Sequence, residues 1–129
     1  MSKGYAKIKR EQVFDILVSI SLDIMSPIDN ITLVNIAHLL KTSRYQVKKH
    51  MDYLKQAGIA EYSVQTVHDE YEVYPVCGYR LADTVKSNNP HDIEDNLHKT
   101  LILQCRAMYQ RKKAEHDKVF AKIFFEGEK

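Results

Sequence analysis

The chain has 129 residues, 44% of them apolar and 28% charged, which indicates one globular domain, with an appended helix or tail, rather than a disordered protein. Its formal charge of +2 is too small to identify a class of partner, so the distribution of charge along the chain matters more. No apolar run is long enough to cross a membrane, and the basic N-terminus lacks the apolar stretch of a signal peptide. We therefore predict a cytoplasmic protein in which Cys77 and Cys105 are free thiols, with a disulfide between them as the less favoured alternative.

Residues 1–9 form a basic segment that precedes the first periodic stretch. With Arg10, its cations are Lys3, Lys7 and Lys9. We interpret the segment as an N-terminal arm, for which a solvated tail is favoured over an arm that lies along phosphate groups.

The stretch REQVFDILVSISLDIM repeats apolar residues at the spacing of one helix face. It predicts a core helix that ends at Ser26-Pro27, because the residue before a proline is pushed out of the helical region. The predicted apolar stripe consists of Val13, Ile16, Leu17, Ile20 and Ile24.

A second helix is predicted in DNITLVNIAHLLK, where the Thr32 hydroxyl can cap the first turn. A short break at Lys41-Thr42 separates it from the next helix. The inward face of the second helix is expected to consist of Leu33, Ile36, Ala37 and Leu40.

The third helix is predicted from Ser43 to Ala57. Ser43 and Gln46 have the three-residue spacing of a capping box at its start. Gly58 suits the left-handed residue of a Schellman turn at its end. The stretch from residue 41 to residue 60 carries five Lys or Arg residues and a single acid, Asp52, which raises the question of what this charge contacts.

The periodicity changes from helical to alternating after Gly58. The segments AEYSVQTV and YEVYPVCGY, separated by HDE, predict a β-hairpin in which Pro75 marks an edge or bulged strand. The stretch from Glu61 to Tyr79 contains four carboxylates and no Lys or Arg, so the predicted hairpin is acidic.

Asn89-Pro90 resembles a helix cap followed by a first-turn proline, and nothing after it breaks a helix before about Phe125. We therefore predict a C-terminal helix over residues 90–126, about 50 Å long, which either splits near YQRKKAEHDK or projects and needs a partner, because its apolar face has no surface to cover in so small a domain. We expect it to form a homodimer. The predicted dimerisation residues are Ile93, Leu97, Leu101, Cys105 and Met108.

The order helix, helix, short turn, helix and two-stranded hairpin resembles a winged helix-turn-helix over residues 10–83. The segment IAHLLKTSRYQVKKHMDYLKQAGIAE is similar to the A-x-x-L-G-V-S-R-x-T-V-R-x-x-L-x-x-L-x-x-x-G-L signature of bacterial winged-helix regulators such as the GntR and MarR families. The segment GYRLAD resembles the end of the wing in MarR-like and PadR-like proteins. The matching positions are Ala37, Leu40, Ser43, Arg44, Val47, Met51, Leu54, Gly58 and Ile59.

This resemblance implies an α+β fold that is mainly α with a small β-hairpin, and a prokaryotic or phage regulator of transcription. The sequence departs from the signature at Lys41, which replaces a glycine, and at Thr42, which replaces an apolar residue. The acidic hairpin is a further departure, because the minor groove attracts cations.

The outer face of the third helix mixes cations with amide and phenol groups, which suits the major groove of double-stranded DNA. The resemblance itself implies contacts at Arg44, Gln46 and Lys48. A twofold dimer would contact two half-sites about 34 Å apart. The candidates for base contact are Arg44, Tyr45, Gln46 and Lys49, and those for phosphate contact are Lys41, Thr42, Ser43 and Lys48.

Two alternatives come from other functional classes. The domain could be a protein-interaction module whose acidic wing binds a partner, or a sensor of a ligand or metal. His91, His98 and Cys105 recur every seven residues, about 10 Å apart on a helix, which is too far for one zinc ion. No catalytic constellation or phosphate-binding loop is present, so we predict neither an enzyme nor a cofactor or metal.

Overall fold

The structure is a computed structural model that describes residues 7–123. Within them the chain is α+β, which confirms the predicted class of helices with a small hairpin. Residues 1–6 of the predicted arm, with Lys3, and residues 124–126 of the predicted last helix lie outside the described residues. The elements are α1 (Arg10–Leu22), α2 (Leu33–Leu40), α3 (Arg44–Gln56), β1 (Ala60–His68), β2 (Val73–Leu81), α4 (Asp83–Lys86), a 3-10 helix (Pro90–Ile93) and α5 (Lys99–Ala121).

The chain divides into two compact units, the first ending at Ala82 and the second beginning at Asp83. In the first unit, α1 packs against α2, α3 and β2, while α3 also packs against α2 and β1. Full burial of each aliphatic side chain contributes about 1.5 to 3 kcal/mol, so this core holds the three helices together. Its most buried side chains are Val13, Leu17, Val18, Ile36, Val47, Met51, Leu54, Ile59 and Leu81.

The first helix is shorter than predicted, and Val13 and Leu17 are the residues of the predicted stripe that are buried on it. It ends at Leu22, and Ile24, which we had placed on its apolar stripe, is 65% exposed. The Asp23 carboxylate accepts a hydrogen bond from the Met25 N–H at 3.0 Å, which favours a turn there over continued helix. Phe14 and Val18 are buried on its inward face, which the predicted stripe omitted.

The hairpin forms as predicted, with β1 one residue longer and β2 of the predicted length but shifted two residues along the chain. β1 and β2 are antiparallel, from Ala60 opposite Leu81 to His68 opposite Val73. At the turn, the Asp69 carboxylate accepts hydrogen bonds from the N–H groups of Tyr71 and Glu72, at 2.7 and 2.8 Å. Tyr79 on β2 also exchanges two backbone hydrogen bonds with Ile31, at 2.8 and 2.9 Å, which fixes the segment before α2 to the sheet.

In the second unit, the predicted helix over residues 90–126 begins too early. Asn89 does cap a helical turn, but that turn is the 3-10 helix, and α5 begins only at Lys99. The Asn96 side chain accepts a hydrogen bond from the His98 N–H at 2.7 Å, a local bond that competes with helix. The break allows Arg106 to contact Asp92 at 2.7 Å, whereas 14 residues of continuous helix would separate them by about 21 Å.

Because of this break, the predicted dimerisation residues do not lie on a single helix face. Ile93 is buried in the 3-10 helix, and Leu97 lies in the connecting loop with 98% of its surface exposed. On α5, Cys105 is buried, and Leu101 and Met108 are half-buried. These five residues therefore do not form one continuous stripe, and dimerisation through them stays a prediction.

Candidate nucleic-acid interface

A three-residue turn, residues 41–43, connects α2 to α3. The Thr32 hydroxyl accepts a hydrogen bond from the Asn35 N–H and begins α2, and the Ser43 hydroxyl accepts one from the Gln46 N–H at 3.2 Å and begins α3. The latter is the first of the two bonds of the predicted capping box. Lys41 has φ 54° and ψ 47°, so it occupies the left-handed position that the resemblance assigns to glycine.

The turn closes in the same manner as a glycine-containing Schellman motif. The Thr42 N–H donates to the Ala37 carbonyl at 3.0 Å, and the Lys41 N–H donates to the His38 carbonyl at 3.3 Å. The departure at Lys41 therefore leaves the geometry of the turn intact and puts an exposed cation between the two helices.

Replacing Lys41 with glycine is expected to raise the free energy of unfolding of the first unit by up to about 1 kcal/mol. A side chain in the left-handed region costs about 1 to 2 kcal/mol, and the extra freedom of glycine in the unfolded chain offsets part of that gain. Urea denaturation measures the difference. Lys41→Asn is the matched control, because asparagine tolerates this conformation and also removes the charge. A glycine variant less stable than the asparagine variant would contradict the expectation.

The exposed face of α3 carries most of the residues predicted to contact DNA. Arg44, Lys48 and Lys49 are exposed, and Tyr45 is 75% exposed. Ser43 and Gln46 are half-buried at the start of the helix. The opposite face, formed by Val47, Met51 and Leu54, is buried in the core and therefore fixes the orientation of the cations.

Thr42 does not belong to this exposed set. Its side chain is only 5% exposed, so the predicted phosphate contact through its hydroxyl is not supported. The position corresponds to an apolar residue in the signature, and its burial accords with that role.

One of the cations of α3 is already paired. The Lys48 ammonium lies 2.7 Å from the Asp52 carboxylate, one turn further along the helix. The hydrogen bond to Asp52, reinforced by its charge, raises the pKa of Lys48 above its usual value. Arg44 and Lys49 form no ion pair with a residue in the described range 7–123, so they supply the uncompensated positive charge of this face.

The residues just before α1 lie beside α3. Ile8 is buried, and its carbonyl oxygen lies 3.1 Å from Nε2 of His50, which donates to it in the Nε2–H tautomer. The guanidinium of Arg10 stacks 3.6 Å from the ring centroid of Tyr53. Lys7 and Lys9 are exposed on the same segment. The last part of the predicted arm is thus anchored to α3, and sequence periodicity alone gave no signal for these contacts.

The hairpin has the opposite charge. Glu61 and Asp29 are both bound by Arg80, whose Nη2 lies 3.0 Å from Asp29. The carboxylates at the tip, Asp69, Glu70 and Glu72, are exposed. The cationic surface of the first unit therefore lies on α3 and on the N-terminal segment, while the hairpin tip is anionic.

The other predicted sites give the following results. Neither Cys77, which is exposed, nor Cys105, which is buried, forms a disulfide. Within residues 7–123, no three His, Cys, Asp or Glu side chains are arranged to hold a metal ion, and no helix is long and apolar enough to span a membrane.

Comparison of the chain with protein-family models, curated proteins and solved structures gives no significant match.

Proposed function

We propose that the first unit binds double-stranded DNA as a winged helix-turn-helix and regulates transcription, with α3 as the recognition helix. The observation that carries the proposal is the exposed face of α3, where Arg44, Lys48 and Lys49 follow a three-residue turn from α2. A helix held in this way by a buried opposite face is the element that helix-turn-helix proteins insert into the major groove.

The side chains on α3 suit two kinds of contact. Arg44, Tyr45, Gln46 and Lys49 lie in its N-terminal half, from which base edges are contacted in this docking mode. Lys48 suits a phosphate, which can take the place of Asp52 as partner of the ammonium. Lys41 and the Ser43 hydroxyl flank the start of the helix and suit phosphates on the same strand.

The acidic hairpin does not take part in this contact. Its tip carries three exposed carboxylates, which the negative potential of a DNA groove repels. The exposed cations Lys7 and Lys9, on the segment anchored beside α3, supply backbone contacts instead. In this proposal α3 and the N-terminal segment contact the DNA, and the hairpin, which corresponds to the wing, does not.

Fluorescence anisotropy with a random-sequence DNA duplex, measured over a series of salt concentrations, tests the proposal. We expect the affinity to fall steeply with salt, because each phosphate contact releases a counterion. Lys48→Glu together with Lys49→Glu is expected to reduce the slope of log K against log salt by roughly two units, and the affinity by about tenfold or more.

The control is Lys113→Glu together with Lys118→Glu on α5, which makes the same change of charge. Lys113 is also paired with an aspartate four residues on, Asp117, at 3.3 Å, so the two double variants lose equivalent local pairs. The proposal requires that only the α3 variant loses affinity. Equal losses in both variants, or an affinity that does not depend on salt, would reject α3 as a DNA-binding helix and favour a protein-interaction module.

A further inference from the structure

The two edges of the hairpin can be distinguished from its register. The Ala82 N–H donates to the Ile59 carbonyl at 2.8 Å, and the Asp69 N–H donates to the Glu72 carbonyl at 2.9 Å. Because antiparallel strands alternate between hydrogen-bonded and non-hydrogen-bonded pairs, the odd-numbered residues of β1 direct their backbone groups toward β2. The even-numbered residues direct theirs to the outer edge of β1. These outward residues are Ala60, Tyr62, Val64, Thr66 and His68.

The outer edge of β2 is occupied or blocked. On β2 the outward positions are the odd-numbered ones, and Tyr79 uses its outward N–H and C=O to pair with Ile31. Pro75 also lies at an outward position of β2, and proline has no N–H that could donate to another strand. Proline on an edge strand is one of the devices by which proteins prevent further pairing.

The outer edge of β1 has no such protection. Within residues 7–123 no backbone segment other than β2 pairs with β1, although β1 has nine residues. It contains no Lys and no Pro, and its one carboxylate, Glu61, is bound by Arg80. Tyr62, Val64 and Thr66 are exposed and are β-branched or aromatic residues, which favour strand pairing. A long unprotected edge of this kind is a template for another strand.

We propose that a second copy of this chain pairs with this edge, β1 against β1 in antiparallel orientation, to join the two hairpins into one four-stranded sheet. A twofold axis at Val64, the central residue of β1, brings every outward residue opposite another outward residue, as a hydrogen-bonded ladder requires. Tyr62 then faces Thr66 of the second copy, and Val64 faces its own counterpart. Aromatic and β-branched pairs of this kind stabilise a sheet.

The charges of the hairpin fit this arrangement. Glu61 falls opposite Val67 of the second copy, so the charged residue of β1 does not face another carboxylate. The two acidic tips lie at opposite ends of a nine-residue overlap, about 30 Å long. Each tip is level with residues 56–59 of the other copy, next to the exposed Lys55 in the last turn of α3. The pairing does not depend on DNA binding by α3, and it uses a different surface from the contact predicted through the C-terminal helix.

The pairing can be tested on the unsubstituted full chain. NMR measures hydrogen exchange at several protein concentrations, and analytical ultracentrifugation measures dimer formation at the same concentrations. In a monomer the outward N–H groups of Tyr62, Val64 and Thr66 face water and exchange quickly, whereas the inward ones of Ser63, Gln65 and Val67 exchange slowly. We expect the outward amides to become protected in step with dimer formation. The association should be weak, because one strand edge buries less than a standard interface.

A pair of proline variants locates the interface. Val64→Pro removes the central outward N–H, which a monomer tolerates on an edge, and is expected to weaken dimerisation by about tenfold or more. Cys77→Pro is the matched control, because Cys77 lies directly opposite Val64 and faces the other edge. Slow exchange at Ser63 and Gln65 reports that each variant is folded. A chain that stays monomeric, a dimer whose outward amides remain unprotected, or equal weakening by both prolines would each overturn the proposal.

Discussion

Replacing Gly78 with alanine is expected to lower the free energy of unfolding of the first unit by about 2 to 3 kcal/mol, and its Tm by about 10 °C or more. A Cβ at this position would lie 2.8 Å from both the carbonyl carbon and the carbonyl oxygen of Ile31. Backbone atoms cannot rotate out of the way as a flexible side chain can. The segment before α2 would have to move, at the expense of the two hydrogen bonds between Ile31 and Tyr79.

The damage should extend beyond that bridge. The neighbouring Asn30 side chain donates to the Val76 carbonyl at 3.0 Å, and Asp29 is bound by Arg80, so both contacts depend on the same close approach. Urea denaturation measures the loss, and hydrogen exchange at the Tyr79 N–H localises it. Cys77→Ala is the control, since this exposed neighbour should change stability by only about 0.5 kcal/mol. Equal stability of the alanine variants at 77 and 78 would show that the approach of Ile31 is not constraining.

Signals that act within a few residues were predictable from the sequence. The Thr32 and Ser43 hydroxyls cap α2 and α3 as expected. At the end of α3, Gly58 has φ 79°, and the Ile59 N–H donates to the Leu54 carbonyl at 2.9 Å, which is the predicted Schellman closure. The exposure of Arg44, Lys48 and Lys49 also followed from sequence, because helical periodicity with Val47 inward leaves these positions outside.

Contacts between residues far apart in the chain were not predictable. The anchoring of the N-terminal segment depends on Ile8 and His50, which are 42 positions apart. The signature places a glycine at position 41, but no neighbouring residue indicated that a lysine would adopt the same left-handed conformation there. The start of α5 was misplaced in part because a local hydrogen bond, from the His98 N–H to the Asn96 side chain, was missed, and the Asp92–Arg106 pair that the break allows has no local sequence signature.

Replacing Arg106 with methionine is expected to lower the free energy of unfolding of the second unit by about 2 kcal/mol. Arg106 is 7% exposed, and its guanidinium donates to the carbonyl oxygens of Thr84 and Asn89, both at 2.8 Å, and to the Asp92 carboxylate at 2.7 Å. One side chain thus joins α5 to α4 and to the 3-10 helix. Methionine fills the volume of the aliphatic stem but leaves both carbonyl groups without their donors.

Thermal denaturation measures the loss of stability. The Ser87 N–H donates to the Asp83 carbonyl at the end of α4, and we expect its hydrogen exchange to be faster in the variant. Gln110→Ala is the control, because Gln110 lies on α5 like Arg106 and makes an exposed hydrogen bond to Asn88, in the segment before the 3-10 helix, at 3.0 Å. That bond is accessible to water, so its loss should change stability by only about 0.5 kcal/mol. A methionine variant that matches the alanine variant would show that the guanidinium contacts do not hold the unit together.

Acid titration separates loss of the ion pair from loss of the carbonyl hydrogen bonds and of packing. The hydrogen bond from Arg106, followed by that from Ser87, lowers the pKa of Asp92 below its usual value. A carboxylate with a lowered pKa in the folded state contributes stability that is fully present above about pH 4, the range of the unfolded group, and is lost as the pH falls through the folded pKa. The wild type should therefore lose stability in this acid range more steeply than Arg106→Met, in which most of the shift is removed. If the stability of the two proteins falls equally steeply with acid, the ion pair with Asp92 contributes nothing to the loss, which then comes from the two carbonyl contacts and from packing.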